Sequence, residues 1–332
     1  MANFEGIRNL IVTDEEIQAE RELFKNALQT GFQNVNENAP FVPGVYLLGA
    51  LPGMGKTTLA LNIAANICES GVPVLYVSYE QSIMNFWFKD LARFYFLQKY
   101  NNKNAGGAHD TPSALDLRRG KISDADLKNF EKYRNELNSK RDNFYFMRGH
   151  GETAKQLQVL IREYVKKVGV KFVVIDYLQR IQGENVKGNA TMREQVDKAI
   201  FSLKDFQEEI GITLLLISNF NRQNYNSSVS LESFKESGGI EYTADVVFGL
   251  QFKCPKGTTR NSDFYEAEMK KYPRLLELVC VKNRYGKNYF KVNLSYFSKG
   301  ETFFDCGEAK EENSAQKSQA TTDDFADDFE DA

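Results

Sequence analysis

Two rhythms of apolar residues alternate along this chain. Short, nearly unbroken apolar runs occur at VYLLGA (45–50), VLYVSY (74–79), NFYFM (143–147), KFVVID (171–176), TLLLIS (213–218), DVVFGL (245–250), LLELVCV (275–281) and YFKVNL (289–294). Several lack period-two alternation, as expected of strands covered on both faces. Stretches with helical spacing fit between them at 57–69, 83–100, 123–139, 153–168 and 191–210. This order predicts an α/β fold with a largely parallel central sheet flanked by helices, and an antiparallel hairpin near the C-terminal end. Ahead of it, residues 12–29 read as a short amphipathic helix, with Asp14 as cap and Ile17, Leu23, Phe24, Ala27 and Leu28 as its apolar stripe. Residues 31–40 read as a linker. The aromatic segment FWFKDLARFYFLQKY (86–100) has helical spacing, which favours a place in the core over a base-stacking platform.

Composition narrows the class. With 332 residues, 42% hydrophobic and 26% charged, the chain has globular proportions, which exclude a collagen-like, disulfide-stapled or wholly disordered protein. No apolar run approaches the roughly 20 residues that span a bilayer. The N-terminus has no basic segment leading into an apolar core, so a cytoplasmic location is expected. Cys68, Cys254, Cys280 and Cys306 share no C-x-x-C spacing, and with only His109 and His150 beside them they make a poor zinc set; reduced thiols are expected. The net charge of −3 is unevenly spread. Residues 308–332 hold nine carboxylates against two lysines, which leaves a mildly basic body, as nucleic-acid binding permits. The expected division is an arm and helix over 1–40, an α/β domain over 41–307 and an acidic disordered tail over 308–332. Phe325 and Phe329 in the tail suit capture by a basic groove on a partner, although a solubilising tail fits the composition equally.

The most informative segment is VYLLGALPGMGKTTLALNIAANI (45–67). An apolar strand runs into Ala50-Leu51-Pro52-Gly53-Met54-Gly55-Lys56-Thr57-Thr58 and a helix follows at once. That is a phosphate-binding loop, relaxed at its first position by Ala50: backbone N–H groups wrap phosphates at a helix N-terminus, Lys56 reaches the β/γ-phosphates and the Thr57 hydroxyl serves Mg²⁺. ATP and Mg²⁺ are the expected ligands. Asp176 ends the buried run 171–176, where a parallel sheet opens onto a ligand crevice, and is the expected carboxylate that holds Mg²⁺ through water. Glu80 directly follows another strand and suits a general base for water, or equally a residue satisfying a helix dipole.

Taken in order, these segments resemble the RecA-like ATPase domain of replicative hexameric DNA helicases of the DnaB type. The resemblance runs from about Thr30 to Asp305. It rests on Thr30-Gly31-Phe32, on the phosphate loop with its Pro52 and Met54, on Ser78-Tyr79-Glu80-Gln81-Ser82, on Leu117-Arg118-Arg119-Gly120 with Ser123-Asp124, and on Val174-Ile175-Asp176-Tyr177-Leu178-Gln179. Ser218-Asn219-Phe220-Asn221-Arg222 is similar to the sensor strand, with Asn219 where the family usually has Gln. Phe234-Lys235-Glu236-Ser237-Gly238-Gly239-Ile240-Glu241 with Asp245 is similar to the DNA-facing loop, and Val281-Lys282-Asn283-Arg284-Tyr285-Gly286 to the segment that reaches a neighbour's ATP.

The resemblance implies a homo-oligomer, a hexameric ring, that hydrolyses ATP at subunit interfaces. It would move on single-stranded DNA 5′ to 3′ and unwind forked DNA. Arg284 becomes an arginine finger with Lys282 beside it, although spacing alone fits a basic surface turn. Lys235, Glu236, Gly238 and Arg222 become DNA contacts; the loops 223–233 and 180–193, the latter with Lys187 and Arg193, either line the channel or are solvated surface. The helix at 12–29 resembles the linker helix that packs on the adjacent subunit, and packing on its own domain is the other reading. Only about 40 residues precede the core, so the family's N-terminal helical domain is not expected here. A loader, a primase or a single-strand-binding protein are implied partners. Two other classes stay open: a RecA-type recombination ATPase forming filaments, and a non-motor ATP-binding accessory protein.

Overall fold

A computed structural model describes residues 12–101, 110–182, 192–220, 227–234, 239–255 and 257–308. Nine strands form one sheet: β1 (Gly44–Ala50), β2 (Val74–Ser78), β3 (Phe144–Arg148), β4 (Phe172–Asp176), β5 (Thr213–Asn219), β6 (Val246–Phe252), β7 (Arg274–Asn283), β8 (Lys291–Phe297) and β9 (Thr302–Glu308). Their order is β3-β2-β4-β5-β1-β6-β7-β8-β9. The pairs from β3 to β6 are parallel, and those from β6 to β9 antiparallel. The expected C-terminal hairpin is therefore one half of a longer antiparallel wing.

The helices are α1 (Asp14–Lys25), α2 (Gln33–Asn38), α3 (Lys56–Glu69), α4 (Ile83–Asn101), α5 (Ala114–Arg119), α6 (Asp124–Ser139), α7 (Ala154–Val168), α8 (Met192–Ile210), α9 (Gly239–Thr243) and α10 (Ser262–Met269). The apolar runs behave as their patterns require. Every residue of β1, β2, β4 and β6 is buried, because helices or neighbouring strands cover both faces. Val173, Val174 and Ile175 have no solvent exposure, and each such side chain contributes about 2 kcal/mol of transfer free energy. In β1, Gly49 permits a close approach: a Cβ there would collide with the rings of Phe220 and Phe234.

The segment 86–100 lies on α4, and Phe86, Leu91, Phe94, Tyr95 and Phe96 are buried, as helical spacing implies. Leu91, Phe94 and Tyr95 join Leu117 of α5 and Leu137 of α6 in a second, smaller core. Between it and the sheet, Asp90 pairs with Arg141 (2.5 and 2.9 Å), Arg141 also reaches Glu69 (2.9 Å), and buried Arg93 donates to Asn66 (2.6 Å). Buried guanidinium groups require such compensation.

Four expectations are corrected. Thr13, not Asp14, caps α1: its side chain accepts from Glu16 N, and Glu16 returns the bond to Thr13 N. The helix stops at Lys25 and buries none of its residues. The linker 31–40 contains α2, which Asp305 holds by accepting from the backbone and side-chain amides of Asn34 (2.8 and 2.9 Å). Strand β9 and helix α10 were not foreseen at all.

All four cysteines are free thiols. Among the described residues no helix is long and apolar enough to cross a membrane. The tail, with Phe325 and Phe329, lies outside the described residues, as do His109 and Lys187; of Arg193 only the helical backbone is described.

Candidate nucleotide-binding site

The strand order places several sequence-predicted groups at one edge of the sheet. The chain leaves β1 at Ala50, turns through Gly53 (φ 77°) and Gly55 (φ 95°), and enters α3 at Lys56. Both glycines occupy the left-handed region where a side chain is strained. Parallel register brings Ala50 beside Asn219 of β5, and Ser78 of β2 beside Asp176 of β4. The C-terminal ends of β1, β2, β4 and β5 thus open onto one crevice. It is lined by Pro52, Gly53, Gly55, Lys56, Thr57, Thr58, Glu80, Asp176 and Asn219, all anticipated, and by Gln81, Lys89, Tyr177 and Tyr296, which were not. Met54, the remaining loop residue expected at the site, turns its side chain into the core.

The electrostatics follow from burial. The Lys56 ammonium donates to the carbonyls of Ala50 (3.1 Å) and Leu51 (3.3 Å). Burial lowers its pKa to about 8, against the opposing pull of Asp176 and Glu80. Asp176 is raised to about 6, mainly by burial, while hydroxyl donation from Thr57 and Tyr76 acts the other way. The Tyr76 phenol lies 3.0 Å from the Asp176 carboxylate. Glu80 is exposed at the mouth of the crevice. Among the described residues no group of three or more His, Cys, Asp or Glu side chains is placed to hold a metal ion. That donor set does not make an all-protein metal cage. It does suit Mg²⁺, which takes one or two protein oxygens and completes its shell with phosphates and water.

The far wing contributes too. Glu301, in the turn between β8 and β9, accepts from the Thr58 hydroxyl (2.6 Å) and from Lys89 (2.6 Å). Asn62 of α3 donates to the Glu301 carbonyl (3.0 Å) and accepts from Phe303 N (3.0 Å). Tyr296 stacks on Phe303 with ring centroids 4.1 Å apart. The wing therefore clasps the first two turns of the phosphate-loop helix. Sequence reasoning missed Lys89, Tyr296 and Glu301 because each comes from a separate element with no motif of its own.

Lys282 and Arg284 lie elsewhere. Asn283 pairs with Val246 at the start of β6, which runs parallel to β1, so Arg284 sits at the opposite edge of the sheet from Lys56. A seven-residue β1 at about 3.3 Å per residue puts roughly 20 Å between those edges. Asp245, expected in a DNA-facing segment, is buried beside Arg284. Arg222, Lys235, Glu236 and Gly238 lie outside the described residues.

Against this geometry, a family model described as the DnaB-like helicase C terminal domain matches residues 27–305. The chain belongs to that family. Among curated relatives, the replicative DNA helicase DnaB of Buchnera aphidicola (subspecies Baizongia pistaciae) is 27% identical over 227 residues, covering 66% of this chain and 45% of the relative. The DnaB of Helicobacter pylori strain 26695 is 26% identical over 266 residues, covering 75% of this chain and 50% of the relative. The chain thus spans about half the length of the curated relatives it matches. Among solved structures, the ATPase domain of G40P superposes with a TM-score of 0.70 at 21% identity, over 87% of this chain and 97% of that one. The family's RecA-like fold is the fold seen here: an α/β domain with a largely parallel sheet flanked by helices.

Proposed function

We propose that this chain is the ATP-hydrolysing motor subunit of a replicative DNA helicase, acting in the cytoplasm as a homo-oligomeric, hexameric ring that translocates 5′ to 3′ on single-stranded DNA and unwinds forks. Family membership supports the class of activity. The observation that carries the shared-site mechanism is the separation of Lys56, Thr57, Asp176 and Glu80 at one sheet edge from Arg284 and Lys282 at the other. A subunit so built cannot bring its own Arg284 to its own phosphate loop, whereas head-to-tail neighbours can complete each other's sites.

In this reading the backbone N–H groups of Gly53, Gly55 and Lys56 hold the ATP phosphates, with Pro52 and Met54 shaping the loop and Thr58 at its end. Thr57 and Asp176 hold Mg²⁺, which when bound neutralises charge on the β- and γ-phosphate oxygens. Lys56 leaves the carbonyls of Ala50 and Leu51 for the phosphates. Glu80 takes the proton of the attacking water, and Asn219 senses the γ-phosphate from the end of β5. Arg284 of the next subunit, with Lys282, meets the charge that develops during transfer. Lys235, Glu236, Gly238 and Arg222 contact the DNA backbone, as a motor indifferent to sequence requires. A loader, a primase or a single-strand-binding protein are the expected partners.

The test is strand displacement on forked duplexes carrying only a 5′ or only a 3′ tail, with ATP and Mg²⁺, alongside Lys56→Ala. Displacement that needs Lys56 and the 5′ tail is expected. Helical filaments on single-stranded DNA in place of closed rings would favour a recombination ATPase, and partner binding without DNA-stimulated turnover would favour an accessory protein.

A further inference from the structure

The residue that stands out beside the proposed shared site is Asp245. Its side chain is 3% exposed, yet beside the Tyr285 phenol it meets three further donors from three elements. One oxygen accepts from Val45 N at the start of β1 (2.8 Å) and from the Lys204 ammonium of α8 (2.8 Å). The other accepts from Nη1 of Arg284 (2.8 Å). The second terminal nitrogen of Arg284 donates to the Tyr242 carbonyl (3.0 Å), and the Arg284 amide donates to the Asp245 carbonyl (3.0 Å). The guanidinium is thus gripped on one side, by a carboxylate fixed to the first residues of β1, while its side chain stays 49% exposed.

Charge sharing decides what this grip does. A single carboxylate facing Arg284 alone would cancel the cation. Here Lys204, whose side chain is 15% exposed, faces the same carboxylate and offsets it from within. A further acid, Glu208, pairs with Lys204 at 3.2 Å from a largely solvated position (64% exposed), where water screens it. The positive charge that emerges at the surface is that of Arg284. A guanidinium held by two fixed acceptors has little rotamer freedom left to lose on docking, and its other N–H groups remain for an oxyanion.

We propose that Asp245, neutralised by Lys204, is a positioning residue that holds Arg284 oriented and charged for the neighbouring subunit's nucleotide. This rests on the reading of Arg284 as the group that completes the shared site. The isosteric Asp245→Asn removes the charge but not the volume. In the assembled protein with saturating single-stranded DNA, kcat for ATP falls at least about tenfold while KM changes little, because the phosphate loop is untouched.

Mixing supplies the readout that a folding defect would not give. Asp245→Asn subunits keep Lys56, and Lys56→Ala subunits keep an oriented Arg284, so a mixed oligomer regains turnover that neither has alone. Arg284→Ala is the control: wild-type turnover in that variant would sink the shared-site reading itself. A full loss in Arg284→Ala beside wild-type kcat in folded Asp245→Asn would overturn the positioning role alone. Should Asp245→Asn fail to fold, Lys204→Met carries the test. It leaves the Asp245–Arg284 contact in place but uncompensated, and kcat falls with KM held and is restored by Lys56→Ala subunits; unchanged kcat would overturn the proposal.

Discussion

Nucleotide affinity should have a pH window set by two buried groups at the bottom of the crevice. Burial depresses Lys56 to about 8 in the nucleotide-free protein. The displacement from an ordinary lysine corresponds to roughly 3 kcal/mol against the charged form. Phosphates favour the ammonium, so binding draws a proton onto Lys56 whenever it is neutral. Affinity then tracks the fraction already charged: about half at pH 8 and about a tenth at pH 9. Asp176 works in the opposite sense. Raised to about 6, chiefly by burial, it must be ionised to serve Mg²⁺. The ionised fraction is about half at pH 6 and about a tenth at pH 5. The affinity for Mg²⁺ with a non-hydrolysable ATP analogue should therefore fall about tenfold on moving from pH 7 to pH 5 or to pH 9. Fluorescent-analogue titrations between pH 5 and 9.5 measure this. Lys56→Arg should remove the alkaline limb, because a guanidinium stays charged throughout. Asp176→Asn should remove the acid limb that belongs to the protein and leave only the nucleotide's own titration. A wild-type affinity that stays flat to pH 9.5 would refute the argument from burial.

Further outcomes follow from particular contacts. Tyr76→Phe keeps the ring but deletes a donor to the Asp176 carboxylate, so the acid limb should move to higher pH; an unmoved limb in the same titration would contradict the bond's role. Glu301→Ala releases Thr58 and Lys89 and should cost about 2 to 3 kcal/mol, read as a lower melting temperature by calorimetry. Asp90→Ala takes from Arg141 its two-bond carboxylate partner and leaves it Glu69 alone, and should cost about 3 kcal/mol in urea unfolding; a loss under about 1 kcal/mol would show that Glu69 and solvent suffice. Gly49→Ala drives a methyl into Phe220 and Phe234, with an expected loss of about 1 to 3 kcal/mol in the same assay.

The parallel half of the sheet was legible because its strands are buried on both faces and so are written as unbroken apolar runs. Asp176 and Glu80 could be read for the same reason: a carboxylate directly after such a run has few places to go except the edge of the sheet. The antiparallel wing is written differently. Strand β9, TFFDCGE, mixes Phe303 and Phe304 with Asp305 and Gly307, and so lacks both a run and a clean alternation. Its stability comes from Asn62 and Asn34, far away in sequence, and from Tyr296 on the neighbouring strand. Helix α10 has only eight residues and no long apolar stripe to betray it. Lys89 was hidden inside an aromatic helix whose periodicity correctly indicated core, since one polar face of that helix turns toward the crevice.

Arg284 shows why two readings of a short motif need not compete. Spacing alone suggested a basic surface turn, and the resemblance suggested a group reaching a neighbour. The residue lies in the turn that follows β7, half exposed, at the sheet edge remote from Lys56. An exposed turn is what a group serving another subunit requires, because a side chain buried in its own domain cannot cross an interface. A solvated arginine with no fixed partner would explore many rotamers. This one is tied to Asp245 and Tyr242, so the local structure already bears part of the ordering cost that docking would otherwise carry. On the proposed reading the surface turn and the shared-site group are the same feature, and the buried carboxylate beneath it is what turns a loose basic turn into an oriented one.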